Sequence, residues 1–114
     1  MITIKKFKVE EPVEEFNTFD ISFKKLQKKI DLASRRLKAI SHPSRLKIVS
    51  LLINTEYTVQ SLSLKTGIPQ STLSQHLSVL RERDIVEYRK DGQYSHYSLS
   101  DKNIYDLYLT AMQF

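Results

Sequence analysis

The sequence predicts a mainly α-helical fold with one small β-hairpin placed before a closing helix, and three observations carry that expectation. Phe23, Leu26, Ile30, Ala33, Leu37 and Ile40 recur at steps of three and four, the repeat of a helix with one apolar seam. Residues 85–90 and 94–99 are β-rich runs joined by Asp91-Gly92-Gln93, and Asp-Gly between such runs signals a hairpin because its turn needs positive φ. Between seam and hairpin, Pro43, Gly67 and Pro69 punctuate short apolar segments, marking where helices end.

At 114 residues the chain suits a single domain with a modest core. Residues 1–20 form an N-terminal arm of distinct composition. Ile2, Ile4, Phe7 and Val9 alternate loosely, then Pro12 and the glutamates at 10, 11, 14 and 15 interrupt them. An arm ordered against a partner and a frayed tail are both open readings. The folded domain is expected over 21–114, starting with the seamed helix, which Asp20 or Ser22 caps and His42-Pro43 ends.

Ser44 is the expected N-cap of a second helix running to about residue 54. Leu46, Ile48, Val49, Leu51, Leu52 and Ile53 surround most of its circumference, which makes it the central helix. A third helix over 58–65 turns Val59, Leu62 and Leu64 inward, and Gly67 ends it in the left-handed position that glycine adopts without steric cost. A fourth begins near Gln70. The last starts near Asp101, capped by Ser100 or Asp101, with Ile104, Leu107, Tyr108 and Ala111 on one apolar face and Tyr105, Leu109 and Met112 on another. One small domain cannot bury both faces, so a homodimer is expected.

The fourth helix carries the functional signal. In PQSTLSQHLSVL (69–80), Leu73, Leu77 and Leu80 lie within about 60° of one another on a helical wheel, while Ser71, Ser74, Gln75 and Ser78, with Glu82 just beyond, cluster opposite. Ordinary exposed helices place Lys and Glu on such a face. Uncharged amides and hydroxyls read hydrogen-bond patterns without gripping every phosphate: Gln pairs with adenine N6 and N7, and Ser bonds several bases. Segment 58–67, the turn at Ile68-Pro69 and this helix form a helix-turn-helix, whose second helix enters the DNA major groove N-terminus first. A hairpin directly after it is the wing of a winged helix, bringing Arg89, Lys90 and Gln93 toward the backbone. Candidate double-stranded DNA contacts are therefore Gln70, Ser71, Thr72, Ser74, Gln75, His76, Ser78, Arg89, Lys90 and Gln93.

Charge agrees in total and is unevenly spread. The net charge is +5, yet over 69–95 Arg81, Arg83, Arg89 and Lys90 are matched by Glu82, Asp84, Glu87 and Asp91. Much of the excess lies in 24–47, where nine lysines and arginines face only Asp31.

SHPSRLKIVSLL (41–52) followed by TGIPQSTLSQHLSVLRERDIVEYRKDGQYSHYSL (66–99) resembles the ArsR/SmtB family of small bacterial winged-helix repressors. The family's Pro-x-Arg-Leu-x-Ile is matched by Pro43, Arg45, Leu46 and Ile48, and its Gln-Ser-Thr-hydrophobic-Ser-x-His-Leu by Gln70 to Leu77. Its wing pattern is matched by Arg89, Gly92, Tyr97 and Leu99. The resemblance covers about residues 35–112. It implies a homodimer built from the first and last helices, here Phe23, Leu26, Ile30, Ile104, Tyr105, Tyr108 and Met112, that binds an imperfect inverted repeat and represses transcription.

Two departures stand out. Asp84 occupies a position where the family usually places glycine. The metal-sensing members' cysteines in the third helix, or Asp/His pairs in the last, have no counterpart in EYTVQSLSLKTG or SDKNIYDLYLTAMQF. No metal or other cofactor is expected.

The remaining readings are narrower. With no cysteine there is no disulfide, thiol sensor or thiolate metal site. No apolar run is long enough for a membrane span or a signal peptide, so a cytoplasmic protein is expected. No phosphate loop, nucleophile elbow or paired-carboxylate motif points to an enzyme. The histidines 42, 76 and 96 are separated, with His42 suited to capping and His76 to structural hydrogen bonding. Two alternatives stay open: a winged-helix module or antirepressor that binds protein rather than DNA, and a small organic effector held among Tyr105, Tyr108 and Phe114.

Overall fold

A computed structural model describes residues 19–113, with side chains from Ser22 onward. Its elements run α1 (Phe19–Ser41), α2 (Pro43–Leu52), β1 (Tyr57–Thr58), α3 (Val59–Thr66), α4 (Gln70–Glu82), β2 (Val86–Asp91), β3 (Tyr94–Leu99) and α5 (Lys102–Ala111). Residues 1–18 of the expected arm lie outside the described residues, whereas Phe19 and Asp20 already belong to α1.

The chain divides into two compact units between Ala33 and Ser34. In the first, the described part of α1 is stitched by Gln27 Nε2 donating to Asp31 Oδ1 at 3.1 Å. Phe23 and Ile30 of its seam are exposed and Leu26 is half-buried.

The second unit holds a single core. Ala39 and Ile40 from the end of α1 join Ile48, Val49 and Leu52 of α2, Leu62 of α3, Leu73, Leu77 and Leu80 of α4, Ile85, Val86 and Ile104. Helix α2 contributes from its middle and its C-terminal end, as its apolar circumference predicted. Its cap differs from expectation: His42, not Ser44, is the N-cap, and its Nδ1 accepts from the Ser44 amide at 3.1 Å. The reason is Pro43, whose fixed φ and missing N–H suit the first helical position and so put the cap one residue earlier.

Thr58 caps α3 by accepting from Ser61 N at 3.1 Å, and Gly67 closes it at φ 75 with its amide bonded to Ser63 O. Leu64, expected inward, is 87% exposed. In so short a helix only Leu62 reaches the core center, and Leu64, two residues on, points away.

The sheet has three antiparallel strands in the order β1-β3-β2. The hairpin register runs from Val86↔Leu99 to Asp91↔Tyr94, leaving Gly92 and Gln93 as the turn, with Gly92 at φ 65. The added strand is β1, paired to β3 through Tyr57↔Tyr97 and Thr58↔His96. Asp84 sits at φ 57 between α4 and β2, the left-handed conformation that glycine would take most easily and Asp tolerates. Asp101 caps α5 by accepting from the amides of Asn103 and Ile104.

Candidate nucleic-acid interface

The leucine edge of α4 sets what the helix shows outside. Leu73, Leu77 and Leu80 are essentially fully buried, which turns Gln70, Ser71, Ser74, Gln75 and Ser78 outward. None of these five side chains has a hydrogen-bond partner among the described residues. Thr72 is half-buried on the flank. The first turn carries no acidic residue and Pro69 gives no side-chain cap, so the leading amides of α4 face outward unsatisfied by the chain.

The turn before α4 is held by hydroxyls rather than by apolar packing alone. Ser63 Oγ donates to Ile68 O at 2.7 Å, Ile68 N donates to Thr66 Oγ1 at 3.1 Å, and Thr66 Oγ1 donates to Leu62 O at 2.7 Å. These bonds fix the angle between α3 and α4.

Two arginines support α4 from behind. Arg45 Nε donates to His76 Nδ1 at 3.2 Å, and its Nη1 reaches Ala39 O at 3.5 Å. The His42 ring lies 4.8 Å from that of His76. Burial, followed by the charges of His42 and Arg45, pushes the His76 pKa below its ordinary value, so the ring stays neutral and accepts from Arg45. His76, grouped with the DNA contacts on sequence grounds, thus has its Nδ1 engaged inside the domain. Arg36 Nε donates to Arg83 O at 3.1 Å, and its Nη2 lies 3.7 Å from Asp84 Oδ2. A cation at that point also opposes the negative end of the helix dipole.

The wing meets α4 through a cation–π contact that an aromatic pair within the wing backs. Arg81 sits 4.5 Å above the Tyr88 ring, and Tyr88 meets Tyr97 edge-on at 5.4 Å. Burial raises the Tyr97 pKa, as does Tyr88 beside it, and Arg81 offsets part of that rise. Lys90 and Gln93 are exposed at the hairpin end. Arg89 is exposed too, but engaged: its Nη2 donates to Glu56 Oε1 at 2.9 Å and its Nε to Oε2 at 3.0 Å and Oε1 at 3.2 Å. On the same face, His96 Nε2 lies 3.9 Å from Asp91 Oδ2.

Of the residues expected at a subunit interface, Tyr105 and Met112 are exposed on α5, together with Leu109. Tyr108 is half-buried, and its hydroxyl accepts from Ser50 Oγ at 3.0 Å. Ile104 departs from the expectation, because at 7% exposure it belongs to the chain's own core. Sequence reasoning passed over Glu56, Arg36 and Arg81. Arg45 lay inside a quoted motif, yet nothing in that motif pointed to His76.

Among the described residues no group of three or more His, Cys, Asp or Glu is placed to hold a metal ion, and no helix is long and apolar enough to cross a membrane. The family model of the bacterial arsR regulatory proteins matches residues 42–88, which span α2 through the first half of β2. The biofilm growth-associated repressor of Xylella fastidiosa is 41% identical over 76 residues, 67% of each chain. HlyU from Vibrio cholerae superposes with a TM-score of 0.71 at 34% identity, covering 75% of this chain and 94% of that one.

The chain belongs to the ArsR family.

It is accordingly a DNA-binding transcriptional regulator with a winged helix-turn-helix fold, α3 and α4 forming the helix-turn-helix and β2–β3 the wing. A further structure, the winged helix-turn-helix DNA-binding domain of Mb0332 from Mycobacterium bovis, is described as homodimeric. It matches with a TM-score of 0.72 at 27% identity, over 75% of this chain and 80% of that one.

Proposed function

We propose that the chain acts as a dimeric repressor, each subunit laying α4 in the major groove of one half of an imperfect inverted repeat. The observation that carries this reading is the outer face of α4, where Gln70, Ser71, Ser74, Gln75 and Ser78 are exposed, uncharged and unpartnered among the described residues. Gln75 is the main candidate for a bidentate contact to adenine, with Gln70 and Ser71 at the groove-entering end. Thr72 flanks them. His76 acts as a positioning residue through Arg45 rather than as a base reader. Lys90, Gln93 and Arg89 meet the flanking backbone and set affinity and register.

The second half of the proposal is the dimer. Phe23 and Ile30 of α1 and Tyr105, Leu109 and Met112 of α5 are large apolar side chains left exposed. Homodimeric Mb0332 supports a twofold arrangement, and the Xylella relative supports repression. HlyU of Vibrio cholerae is named a transcriptional activator, so the sign of regulation is a point for experiment. Selection of bound sites from random duplex DNA tests both halves. The expected result is an inverted repeat with half-sites about 10–10.5 base pairs apart, or a multiple of that. Enrichment of a solitary half-site, or of no sequence, overturns the proposal.

A further inference from the structure

Arg89 is the wing residue best suited to hold a phosphate, and its donor fork is already filled. Glu56 lies in the loop between α2 and β1, thirty-three positions away in sequence, and offers both carboxylate oxygens to Arg89 Nε and Nη2 at 2.9, 3.0 and 3.2 Å. Strand order brings them together. Arg89 on β2 pairs with His96 on β3, and His96 pairs on its other side with Thr58 of β1, so the residue just before β1 reaches across the central strand.

A carboxylate and a phosphate present the same chemistry to a guanidinium, two oxygens spaced to accept two parallel N–H bonds. Both partners are solvent-accessible, at 58% and 38% of side-chain area, so the pair is weakly held and open to exchange. The Arg89 hydrogen bond is also the main cause of the lowered Glu56 pKa, the direction expected of a carboxylate seated on a guanidinium.

We propose that Glu56 occupies, in DNA-free protein, the seat on Arg89 that a backbone phosphate takes in the complex. Glu56 is then an intramolecular competitor of DNA. It weakens binding to every sequence alike, so a stable complex forms only where α4 adds base contacts. This inference rests on the wing contacting DNA backbone, as proposed above.

The test is a double-mutant cycle on the full chain, with anisotropy titrations of labelled random-sequence duplex and of the selected site. Glu56→Gln is expected to tighten binding to both by about 3- to 10-fold, and Arg89→Ala to weaken both and flatten the salt dependence by about one ion. In the Arg89→Ala background, Glu56→Gln is expected to give no gain. A gain of the same size there would mean that Glu56 merely repels DNA through space, and would overturn the competitor role. Unchanged or weaker binding by Glu56→Gln alone would overturn it too. Wild-type affinity for Arg89→Ala would instead remove the wing contact itself. Both side chains are exposed, and thermal unfolding of each variant checks that the fold is intact.

Discussion

Helix α4 buries Leu73, Leu77 and Leu80 and leaves serines and glutamines outside, whereas α5 buries only Ile104 and leaves Tyr105, Leu109 and Met112 outside. Both are amphipathic, but the uncovered faces behave oppositely in water. Amides and hydroxyls are well hydrated and lose little by waiting, so they suit a partner that comes and goes. Exposed tyrosine, leucine and methionine gain by being covered, at roughly 25 cal/mol per Å² of apolar surface, and suit a lasting contact with another subunit. The contrast fits the proposed roles of α4 on DNA and of α5 on a second copy of the chain, and substitutions can break either half of it.

The largest effect is expected from the buried edge of α4. Leu77→Ala leaves a cavity at the center of the core and should cost about 2–5 kcal/mol, measured by chemical denaturation. Ser74→Ala on the opposite face should stay within about 0.5 kcal/mol of the parent. Comparable losses for the two would mean that α4 is not oriented as described.

Next comes the exposed face of α5. Paired Leu109→Lys and Met112→Lys changes should yield monomers in sedimentation, because neither charge tolerates burial against a second subunit. Binding to a two-half-site duplex should fall on the order of 100-fold while a single half-site is bound as before, the loss being one of linked engagement. A variant that sediments as the parent does would detach α5 from the interface.

Gln75→Ala sharpens the α4 half. Discrimination at one base pair per half-site should drop by about 1–3 kcal/mol, with affinity for random DNA nearly unchanged. An equal loss on both DNAs would make Gln75 a backbone contact.

The smallest effect concerns pH. The folded-state pKa of His76 is depressed below 6.5, chiefly by burial. The unfolded chain therefore takes up the proton first as pH falls. Stability is full above pH 6.5 and declines as pH drops through the folded pKa, where protonation also breaks the bond from Arg45. Melting curves over this range should show His76→Gln losing less Tm than the parent. Parallel decline would remove His76 as the source.

Much of this architecture could be read from local residue chemistry. Gly67 marked the end of α3, Asp91-Gly92 marked the hairpin, and the spacing of Leu73, Leu77 and Leu80 gave the orientation of α4. What escaped was either too short to have a period or distant in sequence. Two residues of β1 carry no alternation to detect. Leu64 has the composition of a core residue, and in an eight-residue helix one turn of phase decides its direction. Pro43 held the information about the cap of α2, but Ser44 is the commoner capping residue and drew the assignment. Glu56 with Arg89 and Arg45 with His76 are meetings of residues thirty or more positions apart, which only the folded chain reveals.

The three hydroxyl bonds at the corner of α3 and α4 have a mechanical consequence. Because Ser63 and Thr66 both bond to Ile68, opening the two helices like a hinge would first break those bonds, at about 1 kcal/mol each. A motion that kept those bonds would carry both rods together, turning outside the corner in the stretch before Tyr57 and at the left-handed joint of Asp84.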